Sequence, residues 1–260
     1  MDIYFWNINN KELPLNLINN FDFNSHAAII GISEFWDQEQ KILTLSKSSQ
    51  FQYDLVTKRT GIYSSNFINA NLLKARRFYT LYSFIYNNST IYLYVIHLKS
   101  QIKSESEAYS LNLYQINELI NEINTMRYYN SIIMGDFHIP FYDEAFFDHF
   151  KLNVTNYFNE NLKIYKKYAG YERLKFYSPI NSFNGDLSKG PPGTYYFRKQ
   201  HHSQGWHIID NILVSYPLSK FIDVDKCQIL TELNNVHLLN KHNLPNKIYS
   251  DHLPIKITLK

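Results

Sequence analysis

SIIMGDFH, residues 131–138, decides how this chain is read. Ser131 to Gly135 form a short apolar run with the β-branched content of a buried strand, and the run ends abruptly on Asp136 and His138. The same pattern recurs along the chain. IYFW (3–6) ends on Asn7, AAIIGI (27–32) leads through Ser33 to Glu34, and TIYLYVI (90–96) ends on His97. HIIDNILVS (207–215) carries Asp210, and PIKITL (254–259) follows Asp251 and His252. Each polar residue alone has an ordinary reading: Asn7 as a turn former, Glu34 as a helix-cap acid, His97 as a core histidine, Asp136 as an Asx turn. Together they mean more, because side chains at the strand ends of one sheet can converge on a single rim, where ligands of α/β proteins bind.

The rest of the composition sets the frame for that rim. With 260 residues, 45% of them hydrophobic, the chain can bury one sizeable core, and no Pro/Gly/Ser linker or repeat divides it, so one domain over 1–260 is expected. A net charge of +3 permits a polyanionic partner without demanding one. Cys227 is the only cysteine, which rules out an internal disulfide and a cysteine-based zinc cluster within one chain and suits a reducing, cytoplasmic setting. No signal-peptide pattern opens the chain, and no apolar run reaches the ~20 residues that span a bilayer. Asn, Ile, Lys and Tyr are abundant throughout, as AT-rich codon usage alone would make them, so the many tyrosines are not by themselves a stacking surface.

Periodicity separates the helices from the strands. Leu111, Leu113, Ile116, Leu119, Ile120 and Ile123 recur every three or four positions and predict an amphipathic helix over 104–124, with Glu105 and Glu107 suited to its first turn. A second helix is expected over Lys11–Asn20, with Pro14 in its first turn. The runs 78–86 and 90–96 predict a hairpin across Asn87, Asn88 and Ser89. The class is α/β with mixed sheets.

A rim holding Glu34, Asp136 and Asp251 with His97 and His252 offers hard oxygen donors and no thiolate. Such a set suits Mg2+ or Mn2+, whose open positions are filled by water and phosphate oxygens, and phosphoester hydrolysis is the chemistry that follows.

Six short motifs carry a family resemblance in order: WNIN (6–9), SE (33–34), VIHLKS (95–100), MGDFH (134–138), IIDNILVS (208–215) and YSDHLPI (249–255). The set resembles the endonuclease/exonuclease/phosphatase superfamily and spans essentially the whole chain. The resemblance implies the DNase I-like fold, a four-layered α/β sandwich of two packed mixed β-sheets flanked by helices, with the site at one end. It also implies roles. Glu34 is the principal metal ligand, joined at the metal by Asn7, Asn9 and Asp251. His97 stands beside the leaving oxygen, and Asp136 orients the attacking water. Asp210 orients His252, which contacts the phosphate or serves as base; the resemblance leaves open whether Asp136 or His252 is the general base. One position departs from the pattern: His138 stands where the family motif GDFN has asparagine, and an imidazole can donate one N–H in its place.

Substrate choice rests with the loops. KARRFY (74–79), YKKYAGYERLKFY (165–177) and FRKQHHSQGWH (197–207) interleave cations with aromatics, a combination suited to nucleic-acid backbones and stacked bases, and equally the solvated surface of a Lys- and Tyr-rich protein. Arg76 and Arg77 are the candidate phosphate ligands. Thr194, after the rigid GPPG turn, resembles the threonine that precedes the family's IDxI strand and is placed with the substrate-binding residues. His201, His202 and His207 lack the spacing of a zinc cluster. The expected activity is a metal-dependent nuclease. The alternatives are a phosphatase or phosphodiesterase acting on a small phosphoester such as a phosphoinositide, sphingomyelin or nucleotide, and an inactive binding module of the same fold. A lipid-directed enzyme would carry a membrane-docking loop, and none is evident. Oligomeric state is not legible.

Overall fold

Alternation along the strands builds two sheets that share one interior. The computed structural model describes residues 1–11, 26–35, 49–53, 59–100, 105–159, 163–187, 190–197 and 205–260. In chain order, β1 (Asp2–Asn7), β2 (Ala28–Ser33), β3 (Ser49–Tyr53) and β4 (Thr60–Ser65) precede β5 (Asn71–Arg76), β6 (Tyr79–Tyr86) and β7 (Ser89–His97). Helix α1 (Glu105–Met126) leads to β8 (Ser131–Asp136), and β9 (Val154–Thr155), the hairpin β10 (Tyr165–Tyr168) and β11 (Tyr171–Leu174), and β12 (Phe176–Tyr177) come next. The chain closes with β13 (Tyr195–Tyr196), β14 (Trp206–His207), β15 (Asp210–Ser215), β16 (Gln228–Ile229), β17 (Glu232–Leu233), β18 (Val236–His237) and β19 (Ile255–Thr258).

One mixed sheet has the order β16-β19-β1-β2-β4-β3 and the other the order β5-β6-β7-β8-β15-β12-β9. In the second sheet Leu93 and Val95, Ile132 and Met134, and Ile212 and Val214 belong to the core shared with Ile3, Phe5, Ile30 and Ile32 of the first. The intervening Tyr94, Ile96, Ile133 and Leu213 face the other way, onto Ile116, Leu119, Ile120 and Ile123 of α1. That is the two-residue period of strands meeting the three-to-four-residue period of a helix. The helix runs two residues beyond the predicted end, and the hairpin of β6 and β7 pairs Tyr86 with Ser89 as expected. The second expected helix falls almost wholly on 12–20, outside the described residues. Among the described residues no helix is long and apolar enough to cross a membrane.

Close approach of backbones explains the glycine of GDF. A Cβ on Gly135 would run into the carbonyl oxygen of Ile96 on the neighbouring strand. Gly135→Ala is therefore expected to destabilise the fold by about 1–3 kcal/mol, as overpacking does. A thermal melt of the variant indistinguishable from wild type would contradict the close packing of β7 on β8.

Candidate active site

The interior rows end in polar side chains at one edge of the sandwich. Leu93 and Val95 are followed on the same face by His97, Ile132 and Met134 by Asp136, and Ile3 and Phe5 by Asn7; Asp210 precedes Ile212 and Val214 on an antiparallel strand. Register aligns them, for His97 and Asp210 both pair with Asp136, and Asn7 pairs with Ser33. Because β19 lies antiparallel to β1, pairing Phe5 with Ile255, Asp251 and His252 enter at the same edge. The predicted rim is thus assembled from both sheets.

Hydrogen bonds stitch the sheets together there. Asn7 Nδ2 donates to Glu34 Oε1 at 3.1 Å and to Asp136 Oδ2 at 2.9 Å. His97 Nε2 lies 2.8 Å from Glu34 Oε1. Asn9 donates its backbone N–H to Asn7 Oδ1 at 2.9 Å and its side-chain amide to Asp251 Oδ1 at 2.8 Å. His252 Nδ1 lies 2.8 Å from Asp210 Oδ2, its carbonyl accepts from Trp6 Nε1, and its backbone N–H donates to Ser250 Oγ, which in turn donates to the Asn7 carbonyl. Tyr195, tilted against the His252 ring with centroids 4.7 Å apart, closes one side. Glu34 (φ 55°) and His138 (φ 49°) both hold the left-handed backbone region, uncommon outside glycine and costly for residues of their shape. Glu34 is therefore a residue turned out of the strand end toward the rim.

Asp136 is the electrostatic centre. Its side chain has no exposed surface, with His138 Nε2 at 3.4 Å and His252 Nε2 at 3.8 Å from Oδ2. Burial alone would raise its pKa, but the surrounding imidazoles and the Asn7 amide outweigh it and keep the carboxylate ionised. Burial likewise pushes the Glu34 carboxyl up, and the hydrogen bonds from His97 and Asn7 reverse this and bring it to about 2. His138 goes the other way: burial, only partly offset by Asp136, lowers it to about 4, so its ring is neutral. For His252, burial is overcome by Asp210, Asp136 and Asp251, which raise it to about 10, while burial also raises Asp210. The Asp210–His252 pair therefore retains a proton at neutral pH. Any group that reaches Asp136 has to enter among the imidazoles around it.

The donor set fits a divalent cation. Glu34, His97, Asp136 and His138 each offer one ligand atom, all within 4.8 Å of one another, and His138 Nε2 is buried with no hydrogen-bond partner among the described residues. Asp136, Asp210 and His252 form a second such group, but there the His252 Nδ1 is committed to Asp210.

A cleft of about 450 Å³ opens beside His97, lined by Arg59, Arg76, Arg77, Lys99 and Tyr114 among others. Arg76 and Arg77 stand at the rim because Arg76 pairs with Tyr79, and Tyr79 with Ile96, one residue before His97. Lys74, two residues earlier, is instead engaged by Glu122 of α1. Arg59 and Lys99 are not among the residues that the sequence singles out. Lys99 had a signal, lying two residues past His97 in VIHLKS; Arg59 had none.

Neither the 165–177 segment nor Thr194 lines the cleft. The 165–177 segment does not face the rim. Phe176 pairs with Ser215, at the opposite end of β15 from Asp210, and Leu174 bonds through its N–H to Asn124, near the far end of α1. Thr194 is turned inward. It is fully buried, and its hydroxyl accepts from the N–H of Asp210 at 3.2 Å and of Ile209 at 3.4 Å, so it fixes the start of β15. Most of the 197–207 stretch, including His201 and His202, lies outside the described residues, while His207 sits in β14.

Solved structures bear on the fold. A truncated TDP2 from Caenorhabditis elegans matches 99% of this chain and 96% of its own at 14% identity, with a TM-score of 0.60. Beta toxin from Staphylococcus aureus with bound magnesium ions matches 100% and 99% at 12% identity and a TM-score of 0.59. An AP endonuclease from Archaeoglobus fulgidus gives 100% and 99% at 12% identity and 0.56. The chain thus has the DNase I-like fold, an α/β sandwich. No family model matches the sequence, and no curated protein matches it.

Proposed function

We propose that the chain is a divalent-metal-dependent phosphodiesterase that cleaves nucleic-acid strands. The observation that carries this reading is the convergence of Asn7, Glu34, His97, Asp136, Asp251 and His252 on one edge, beside a cleft lined by four cationic side chains. The magnesium in beta toxin and the activity named for the archaeal endonuclease support it.

Glu34 and Asp136 would hold the cation, Mg2+ or Mn2+, with Asn7, Asn9 and Asp251 closing the metal side. When bound, a divalent cation there neutralises charge on the phosphoryl oxygens. Protonated His252, oriented by Asp210, donates from Nε2 to a nonbridging oxygen and stabilises the negative charge that builds as water attacks phosphorus. Asp136 aligns that water from beneath and takes its proton. His97 lies beside the departing ester oxygen, and His138 presents a neutral imidazole to the same face. The cleft cations hold the strand to one side of the scissile bond.

The test is a panel of plasmid, linear and single-stranded DNA and RNA, assayed with Mg2+ and Mn2+. Cleavage should fall steeply with added salt through counterion release. Arg76→Ala with Arg77→Ala should raise KM and lower the log–log salt slope by about one for each phosphate that is no longer neutralised. Turnover of a small activated diester, too short to reach the cleft, should be spared. Strong, salt-insensitive turnover of a small phosphomonoester without strand cleavage would overturn the nuclease assignment and leave the metal centre intact.

A further inference from the structure

We infer that the cation at this site is ligated by imidazole nitrogen from His138 as well as by carboxylate oxygen, and that the site therefore selects a first-row transition ion such as Mn2+ or Zn2+ over Mg2+. The inference rests on the reading of the rim as a metal centre and concerns which metal it takes.

Three observations carry it. The first is the donor set: Glu34, Asp136, His97 and His138 present ligand atoms within 4.8 Å of one another, and since His97 Nε2 is engaged by Glu34 Oε1 at 2.8 Å, His138 is the imidazole whose Nε2 is uncommitted. Mg2+ seeks oxygen ligands and keeps much of its water, whereas imidazole binds later divalent ions well. The second is the state of His138. Its Nε2 is shut off from solvent and has no hydrogen-bond partner among the described residues, while its nearest acid, Asp136 Oδ2, is 3.4 Å away. A buried ring nitrogen in that condition is destabilising unless something binds it. The third is local geometry. The His138 N–H donates to Asp136 Oδ1 at 2.9 Å, so one short turn presents a carboxylate and an imidazole together. The left-handed backbone at His138 sets that turn, and the His97 ring faces it edge-on with centroids 5.3 Å apart. The remaining histidine of the rim, His252, is held at Nδ1 by Asp210, and its Nε2 is 3.8 Å from Asp136 Oδ2.

Metal-free protein would be titrated calorimetrically with Zn2+, Mn2+ and Mg2+, alongside the His138→Asn and Glu34→Gln variants. Asparagine tolerates the left-handed backbone at this position, so His138→Asn should fold. Removing a group that only orients a ligand already costs metal sites about 10–100-fold in affinity, so removing a ligand itself should weaken Zn2+ binding at least about tenfold, with Mg2+ binding little changed. Pulsed electron paramagnetic resonance of the Cu2+-loaded wild type should show imidazole nitrogen, with part of that signal missing in His138→Asn. If His138→Asn keeps its Zn2+ affinity within about twofold and its nitrogen signal entire, the inference fails; loss of binding in Glu34→Gln would then still uphold the metal centre. If the wild type binds none of the three ions, both readings fall.

Discussion

Glu34→Gln is expected to lower strand cleavage by about 1,000-fold while leaving the fold intact, and a chelator should do the same to wild type. The size follows from the loss of a preorganised charge that acts where the transition state gathers negative charge. The amide keeps the shape of the carboxylate and can still accept from His97 and Asn7, so packing at the rim survives. Asp251→Asn should behave alike, since its oxygen holds the Asn9 amide and faces the same edge. The measurement is cleavage at saturating metal, with circular dichroism and a melting curve to verify the fold. A folded Glu34→Gln protein within a few-fold of wild-type turnover would place the chemistry elsewhere.

The second large effect is expected at Asp210. Asp210→Asn removes the buried charge that keeps His252 protonated, and turnover at neutral pH should fall by about 100-fold or more. The variant should also acquire a pH dependence. As the imidazole returns toward its ordinary pKa near 6.5, activity should decline above that pH, where wild type stays level. Stability supplies an independent reading. Folding raises the His252 pKa to about 10, so its contribution is fully present below about 6.5 and is lost as pH rises through about 10. Wild type should therefore lose more melting temperature than Asp210→Asn between neutral pH and pH 10. Parallel melting profiles across that range would show that Asp210 does not hold the proton on His252.

The sequence made the rim legible because strand alternation is a strong, local signal. Once Leu93 and Val95 are read as an inward row, His97 must follow on the same face, and Asp136 follows Ile132 and Met134 by the same rule. The α1 periodicity was equally direct. The loops were harder because their position depends on pairing across the chain. The basic hairpin of β10 and β11 leaves the site since β12 joins β15 at Ser215, a fact that no local pattern in YKKYAGYERLKFY encodes. The surroundings of Thr194 were hard to read for a related reason: the GPPGT turn is visible in sequence, but whether its hydroxyl points inward depends on the backbone of residues 207–210. Arg59 reaches the cleft only through the placement of β4 beside β2, and nothing near it in the chain says so.

The bonds from Asn7 to Asp136 and from His97 to Glu34 each join one sheet to the other. The site thus acts as a gauge of how the sheets are aligned. A slide along their interface of half a strand repeat, about 1.7 Å, would part both bonds long before the hydrophobic interior came apart. Changes of volume at Met134, which packs toward Gly31 on the opposing sheet, would then be read out as lost turnover in a protein that still melts cooperatively. The chemistry at this edge is tied to the alignment of two sheets.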